Sequence, residues 1–118
     1  MSSKWERASE ELIQLLDTLV RPYNCIPRKM FGSPTYFVNN NMFCGVHEDI
    51  IFLRLSQQDI ELLMKEEPDV SHFEPLEGRK MREYLVLDET IYSDITKLEK
   101  WLDRSYFYVS SLPIKTKK

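Results

Sequence analysis

Three β-rich runs separated by only two or three turn residues constrain this chain more than any other feature. They are Thr35-Tyr36-Phe37-Val38, Met42-Phe43-Cys44-Gly45-Val46-His47 and Ile50-Ile51-Phe52-Leu53-Arg54-Leu55. The separators are Asn39-Asn40-Asn41 and Glu48-Asp49. Connections this short leave no room for a crossover, so the runs must pair antiparallel as a meander. Asn tolerates the positive φ that tight hairpin turns demand.

The spacing also predicts a register. With Asn39 to Asn41 as a three-residue loop, Val38 faces Met42. With Glu48-Asp49 as a two-residue turn, His47 faces Ile50. Side chains alternate along a strand, so these pairings sort residues onto two faces. One face carries Tyr36, Val38, Met42, Cys44, Val46, Ile51, Leu53 and Leu55. The other carries Thr35, Phe37, Phe43, Gly45, His47, Ile50, Phe52 and Arg54. The first is the expected core. The second is mixed, and its three phenylalanines make an apolar patch unless the tail or last helix covers them.

Helices flank the meander. Ser3 with Glu6 has capping-box spacing, and Trp5, Ala8, Leu12, Leu15, Leu16 and Leu19 follow as one stripe up to Pro22. Tyr23 to Pro27 reads as a loop. Ser56 with Asp59 opens a second helix carrying Ile60, Leu63 and Met64, with Pro68 beyond it. His72-Phe73-Glu74 reads as a short strand, Glu77-Gly78 as a turn, and Met81 to Leu87 as another strand. A last helix from Ser93 or Asp94 places Ile95, Leu98, Trp101, Leu102 and Val109 on one stripe before Pro113. The order α-β-β-β-α-β-β-α predicts a two-layer α+β fold, a mainly antiparallel five-stranded sheet with helices on one face. Residues 1–113 form one domain and 114–118 a basic tail. At 118 residues the chain can build its core without disulfides or metal.

The residue types that carry chemistry are scattered. Cys44 and His47 lie three apart on a strand and point to opposite faces, so thiol and base do not cooperate. Cys25, Cys44, His47 and His72 show no paired metal-ligand spacing, so neither a metal nor a cofactor is expected. Glu10-Glu11, Glu66-Glu67 and Asp88-Glu89 read as solvated surface. Gly32, Gly45 and Gly78 are too far apart for a phosphate loop. No catalytic constellation emerges, and the chain reads as a non-enzymatic module.

Two surfaces remain as candidates. Phe37, Phe43, Ile50 and Phe52 are the expected protein-contact residues. Arg28, Lys29, Arg79, Lys80 and Arg82 are the alternative, a nucleic-acid surface in which Phe31 and Tyr84 lie near the cations in sequence. Lys115, Lys117 and Lys118 add charge in the tail. A net charge of -3 weighs against dedicated nucleic-acid binding. Two cysteines, a polar start and no apolar stretch of about 20 residues predict a reduced cytoplasmic protein with no membrane association.

Lys29-Met30-Phe31-Gly32, Tyr36-Phe37-Val38-Asn39 and Asn41-Met42-Phe43 resemble the TfoX/Sxy family, specifically its N-terminal domain. The resemblance continues through Ile51 to Leu55, Phe73-Glu74-Pro75, Gly78-Arg79-Lys80-Met81 and Glu83-Tyr84. It reaches Trp101 and Ser110-Ser111-Leu112-Pro113. It implies a two-layer fold of the secretion-chaperone-like class. It also implies kinship with bacterial regulators of natural competence, whose best-known members carry a second, helical domain. This chain stops after the first, so it reads as a stand-alone N-terminal domain. The resemblance brings no catalytic residues. The expected activity is regulation or adaptation through a protein partner or self-association.

Overall fold

Asn39 and Asn40 both take left-handed backbone angles, with φ of 53° and 68°. Two consecutive positive-φ residues close a hairpin on two residues, with a twist that matches the flanking strands. Val38 therefore pairs with Asn41, where a three-residue loop would have paired it with Met42. Phe37 pairs with Met42 and Tyr36 with Cys44, which leaves Phe43 as the extra residue of a β-bulge. The bulge reverses the alternation on its turn side. Met42 joins the face opposite the helices, and Phe43 turns with Cys44 into the helix-side core. The expected faces of Met42 and Phe43 are thus exchanged. Tyr36, Val38, Cys44, Val46, Ile51, Leu53 and Leu55 lie in the helix-side core as expected, and His47 pairs with Ile50.

The computed structural model describes residues 4–30, 33–76 and 78–114. The chain runs α1 (Lys4–Val20), β1 (Ile26–Met30), β2 (Ser33–Val38), β3 (Asn41–His47), β4 (Ile50–Arg54) and α2 (Gln57–Glu66). It continues through β5 (His72–Leu76), β6 (Arg79–Leu87), α3 (Glu89–Tyr92) and α4 (Ile95–Ser110). The expected capping serine Ser3, the motif residues Phe31 and Gly32, the turn residue Glu77 and the tail lysines Lys115, Lys117 and Lys118 lie outside the described residues. So do the side chains of Glu6, Trp5 and Ala8.

The fold is α+β, with a sheet of order β1-β2-β3-β4-β6-β5 in which every neighbouring pair is antiparallel. Among the described residues it has six strands where five were expected. The additional strand is β1, part of which read as a loop. Its sequence, Ile-Pro-Arg-Lys-Met, holds a proline and two cations and gives little strand signal. Pairing with β2 creates it. Pro27 and Pro34 have no N–H, so the β1–β2 ladder has to run through Ile26–Phe37, Arg28–Thr35 and Met30–Ser33. The Thr35 hydroxyl adds a hydrogen bond to the Arg28 carbonyl at 2.9 Å. Pro27 then faces the free edge without a donor, which blunts that edge against strand addition.

The four helices among the described residues lie on one face. Leu12, Leu16 and Val20 of α1, Ile60 and Leu63 of α2, Ile91 of α3, and Leu98, Trp101, Leu102 and Val109 of α4 close over the strand residues. The ends are capped locally: Ser56 accepts from the Asp59 N–H, Asp88 from Thr90, and Asp94 from Lys97. The bulge is tied to this layer, because buried Ser105 of α4 donates to the Phe43 carbonyl at 3.0 Å. No helix among the described residues is long and apolar enough to cross a membrane.

Candidate functional site

The face turned away from the helices is built around a glycine. Gly45 of β3 leaves a gap into which Phe52 of β4 lays its ring; a Cβ there would sit 2.6 Å from Phe52 Cζ and 2.7 Å from Thr35 Cγ2. Phe73 of β5 stacks on Phe52, with centroids 4.1 Å apart and planes inclined by 8°. Register shifts on both sides of Phe73 bend β5 out of the plain ladder, and its ring reaches His47 on β3 at 5.4 Å. Tyr84 of β6 meets Phe52 edge-on and donates its hydroxyl to the Met42 carbonyl at 2.8 Å. Met42, Phe52, Phe73 and Tyr84 therefore form a second core, made among the described residues of strand residues only. The cover on this face comes from edge strand β5.

That cover is one-sided. Phe37, Ile50, Met81 and Val86 stay half-buried around the cluster. Toward β1 the surface opens, with Ile26 60% and Met30 38% exposed. Alternation along β1 places Ile26, Arg28 and Met30 on this face beside Phe37 and Thr35. The Arg28 guanidinium lies 5.0 Å from the Phe37 ring centroid and donates to Asn40 Oδ1 at 3.0 Å. The β1–β2 half is thus an apolar strip with one fixed cation.

The expected contact residues divide. Phe37 lies in this strip beside Ile26, and Ile50 lies on β4 at the edge of the second core. Phe43 and Phe52 are both fully buried. Phe43 lies on the helix side, edge-on to Tyr23 and Tyr106 at 6.1 and 5.8 Å. Both are core residues in this fold, because the bulge and the Phe73 stack remove them from the surface. Ile26 and Met30 went unrecognised. The sequence carries no signal for them, because Pro27, Arg28 and Lys29 between them leave no apolar alternation.

The expected basic surface is also divided. Arg28 and Lys29 lie on β1, and Arg79, Lys80 and Arg82 on β6, all exposed. Four strand spacings separate the two strands, and the register places Arg28 level with Val86, so Arg79, Lys80 and Arg82 lie a further four to seven residues along β6. They flank the helix-free face from opposite sides. Arg54 is committed elsewhere, pairing with Glu83 at 2.6 Å, and Tyr108 donates to the same carboxylate at 3.2 Å. Glu66 and Glu67 pair with Lys100 and Lys97.

Cys44 lies fully buried in the helix-side core, and burial pushes its thiol well above the ordinary range. Burial, followed by the nearby Asp17 carboxylate, also raises Cys25. Both shifts oppose thiolate formation. His47 sits on the other face of β3. Among the described residues no three His, Cys, Asp or Glu side chains converge as metal ligands.

The buried tyrosines make a pH prediction. Burial pushes the Tyr84 hydroxyl up from 10.0 to about 12, and burial with hydrogen bonds to Asp17 and Asp103 raises Tyr36 and Tyr23. The folded state therefore holds these protons more tightly than the unfolded chain. The Tyr84 contribution is complete below pH about 10 and is lost as pH rises through about 12, and those of Tyr36 and Tyr23 are lost in the same direction at still higher pH. Urea midpoints should fall steeply above pH about 10, and less steeply in Tyr84→Phe; a flat alkaline profile would contradict the assignment.

The model of the TfoX N-terminal domain matches residues 17–107. No curated protein matches the chain. The matched stretch begins inside α1, takes in the whole sheet and ends inside α4, so it spans both cores and the open strip. The chain belongs to the TfoX N-terminal domain family.

Proposed function

We propose that this chain is a non-enzymatic regulatory or adaptor domain that acts by protein–protein contact through the β1–β2 half of its helix-free face. Membership of the TfoX N-terminal domain family supports a regulatory domain of the competence-regulator type. The observation that carries the contact reading is the exposure of Ile26 beside half-buried Phe37 and of Met30 beside Ser33, on a face whose core, among the described residues, is formed by strand residues. Apolar side chains left together on a sheet face mark an interaction surface. Strand addition at the neighbouring edge is disfavoured by Pro27, so the face is the better contact.

The test is capture from an extract of the protein's own cells at about 0.15 M salt, where exposed charges are screened beyond roughly 8 Å. The bait is the full chain, compared with its Ile26→Glu, Met30→Glu variant. Surface substitutions of this kind change stability by about 0.5 kcal/mol or less, so the variant should melt with the wild type. A protein retained by the wild type and depleted at least about tenfold by the variant supports the reading. Equal retention by both contradicts it, and nucleic acid retained equally by both moves the site to the basic residues.

A further inference from the structure

Resting on that contact reading, we infer that the partner presents an acidic segment carrying apolar side chains, held on the strip between the two basic flanks. Arg28, Lys29, Arg79, Lys80 and Arg82 form no ion pair among the described residues, whereas carboxylates nearby are engaged. Glu83 holds Arg54, and Glu74 accepts from the Gly78 N–H at 2.6 Å. By alternation Arg28 faces the helix-free side and Lys29 the helix side, and Arg79 shares the face of Met81 while Lys80 does not, so the helix-free face offers, among the described residues, positive charge without an ion pair at Arg28 on one side and at Arg79 on the other. Acidic side chains in a partner would complement both flanks, and its apolar side chains would cover Ile26, Met30 and Phe37.

The same observations weigh against two other occupants. A nucleic-acid strand follows a continuous cationic track and stacks bases on open aromatic faces. Here the cations are separated by about four strand spacings, and Arg28 already lies over Phe37. A second copy docked face to face by two-fold symmetry would bring like-charged flanks together.

Fluorescence anisotropy with the full chain and a labelled Glu-rich peptide bearing spaced leucines tests the inference. The controls are the same peptide with Lys for Glu, the same peptide with Ser for Leu, and a labelled oligo-dT. The acidic leucine peptide should bind at about 0.05 M salt and weaken as salt screens the flanks. Arg28→Glu with Arg79→Glu should weaken it at least about tenfold. Ile26→Ser with Met30→Ser should do the same, and neither peptide control should bind comparably.

Tight binding of the Lys peptide, or indifference to the charge reversals with retained dependence on Ile26 and Met30, overturns the acidic partner and leaves the contact face standing. Binding of the Ser peptide as tightly as the leucine peptide overturns the apolar component. Tighter binding of oligo-dT, insensitive to Ile26→Ser and Met30→Ser, overturns both readings in favour of nucleic acid. No binding of the acidic leucine peptide overturns the inference, while the capture experiment still decides the contact face.

Discussion

Phe52→Ala is expected to cost the domain about 3–5 kcal/mol, the range for a large aromatic removed from a closed core. Phe52 is fully buried, stacked 4.1 Å from Phe73 and packed over Gly45, so its loss leaves a void that strand residues alone must fill. Urea unfolding measures it directly. A loss below about 1 kcal/mol would mean that the stack does not hold the second core. Phe43 belongs to the other core, wedged between Tyr23 and Tyr106. Costs at sites without shared partners add approximately, so removing both rings should cost about 6–10 kcal/mol. That equals or exceeds much of the 5–15 kcal/mol typical of a native domain. A Phe43→Ser, Phe52→Ser protein would lose any partner by unfolding, which is why Ile26 and Met30 are the residues to vary.

Gly45→Ala is the second large effect, about 1–3 kcal/mol from overpacking. The added methyl would meet Phe52 Cζ at 2.6 Å and Thr35 Cγ2 at 2.7 Å, distances that require both neighbours to move. Both are pinned, Phe52 by Phe73 and Thr35 by its bond to the Arg28 carbonyl. The same substitution in a Phe52→Leu background should cost less, with a coupling of about 0.5 kcal/mol or more in a double-mutant cycle. An unchanged cost would place the clash on Thr35 alone.

Much of this fold was legible in the sequence. The meander followed from turns too short for anything else, and the pairing of His47 with Ile50 followed from Glu48-Asp49. The Asn39–Asn41 turn hid a bulge, since a two-residue turn plus one extra strand residue consumes the same chain length as a three-residue loop. Only backbone angles and the Ser105 bond to the Phe43 carbonyl separate the two. Strand β1 was illegible for a different reason: Ile26 to Met30 has no strand signature of its own and exists because β2 offers it a ladder. The candidate site inherited both errors. Phe37 and Ile50 stayed on the open face, Phe43 crossed to the helices, Phe52 went under Phe73, and the most exposed apolar residues of the strip lay in the strand that was not read.

The most direct test of the contact surface is amide and methyl chemical-shift mapping of the full chain as a captured partner is added. The largest changes are expected on Ile26, Arg28, Met30 and Phe37 and their neighbours on β2, with α1 and α4 unmoved. Changes centred on the exposed surface of α1 or α4, with β1 silent, would contradict that expectation.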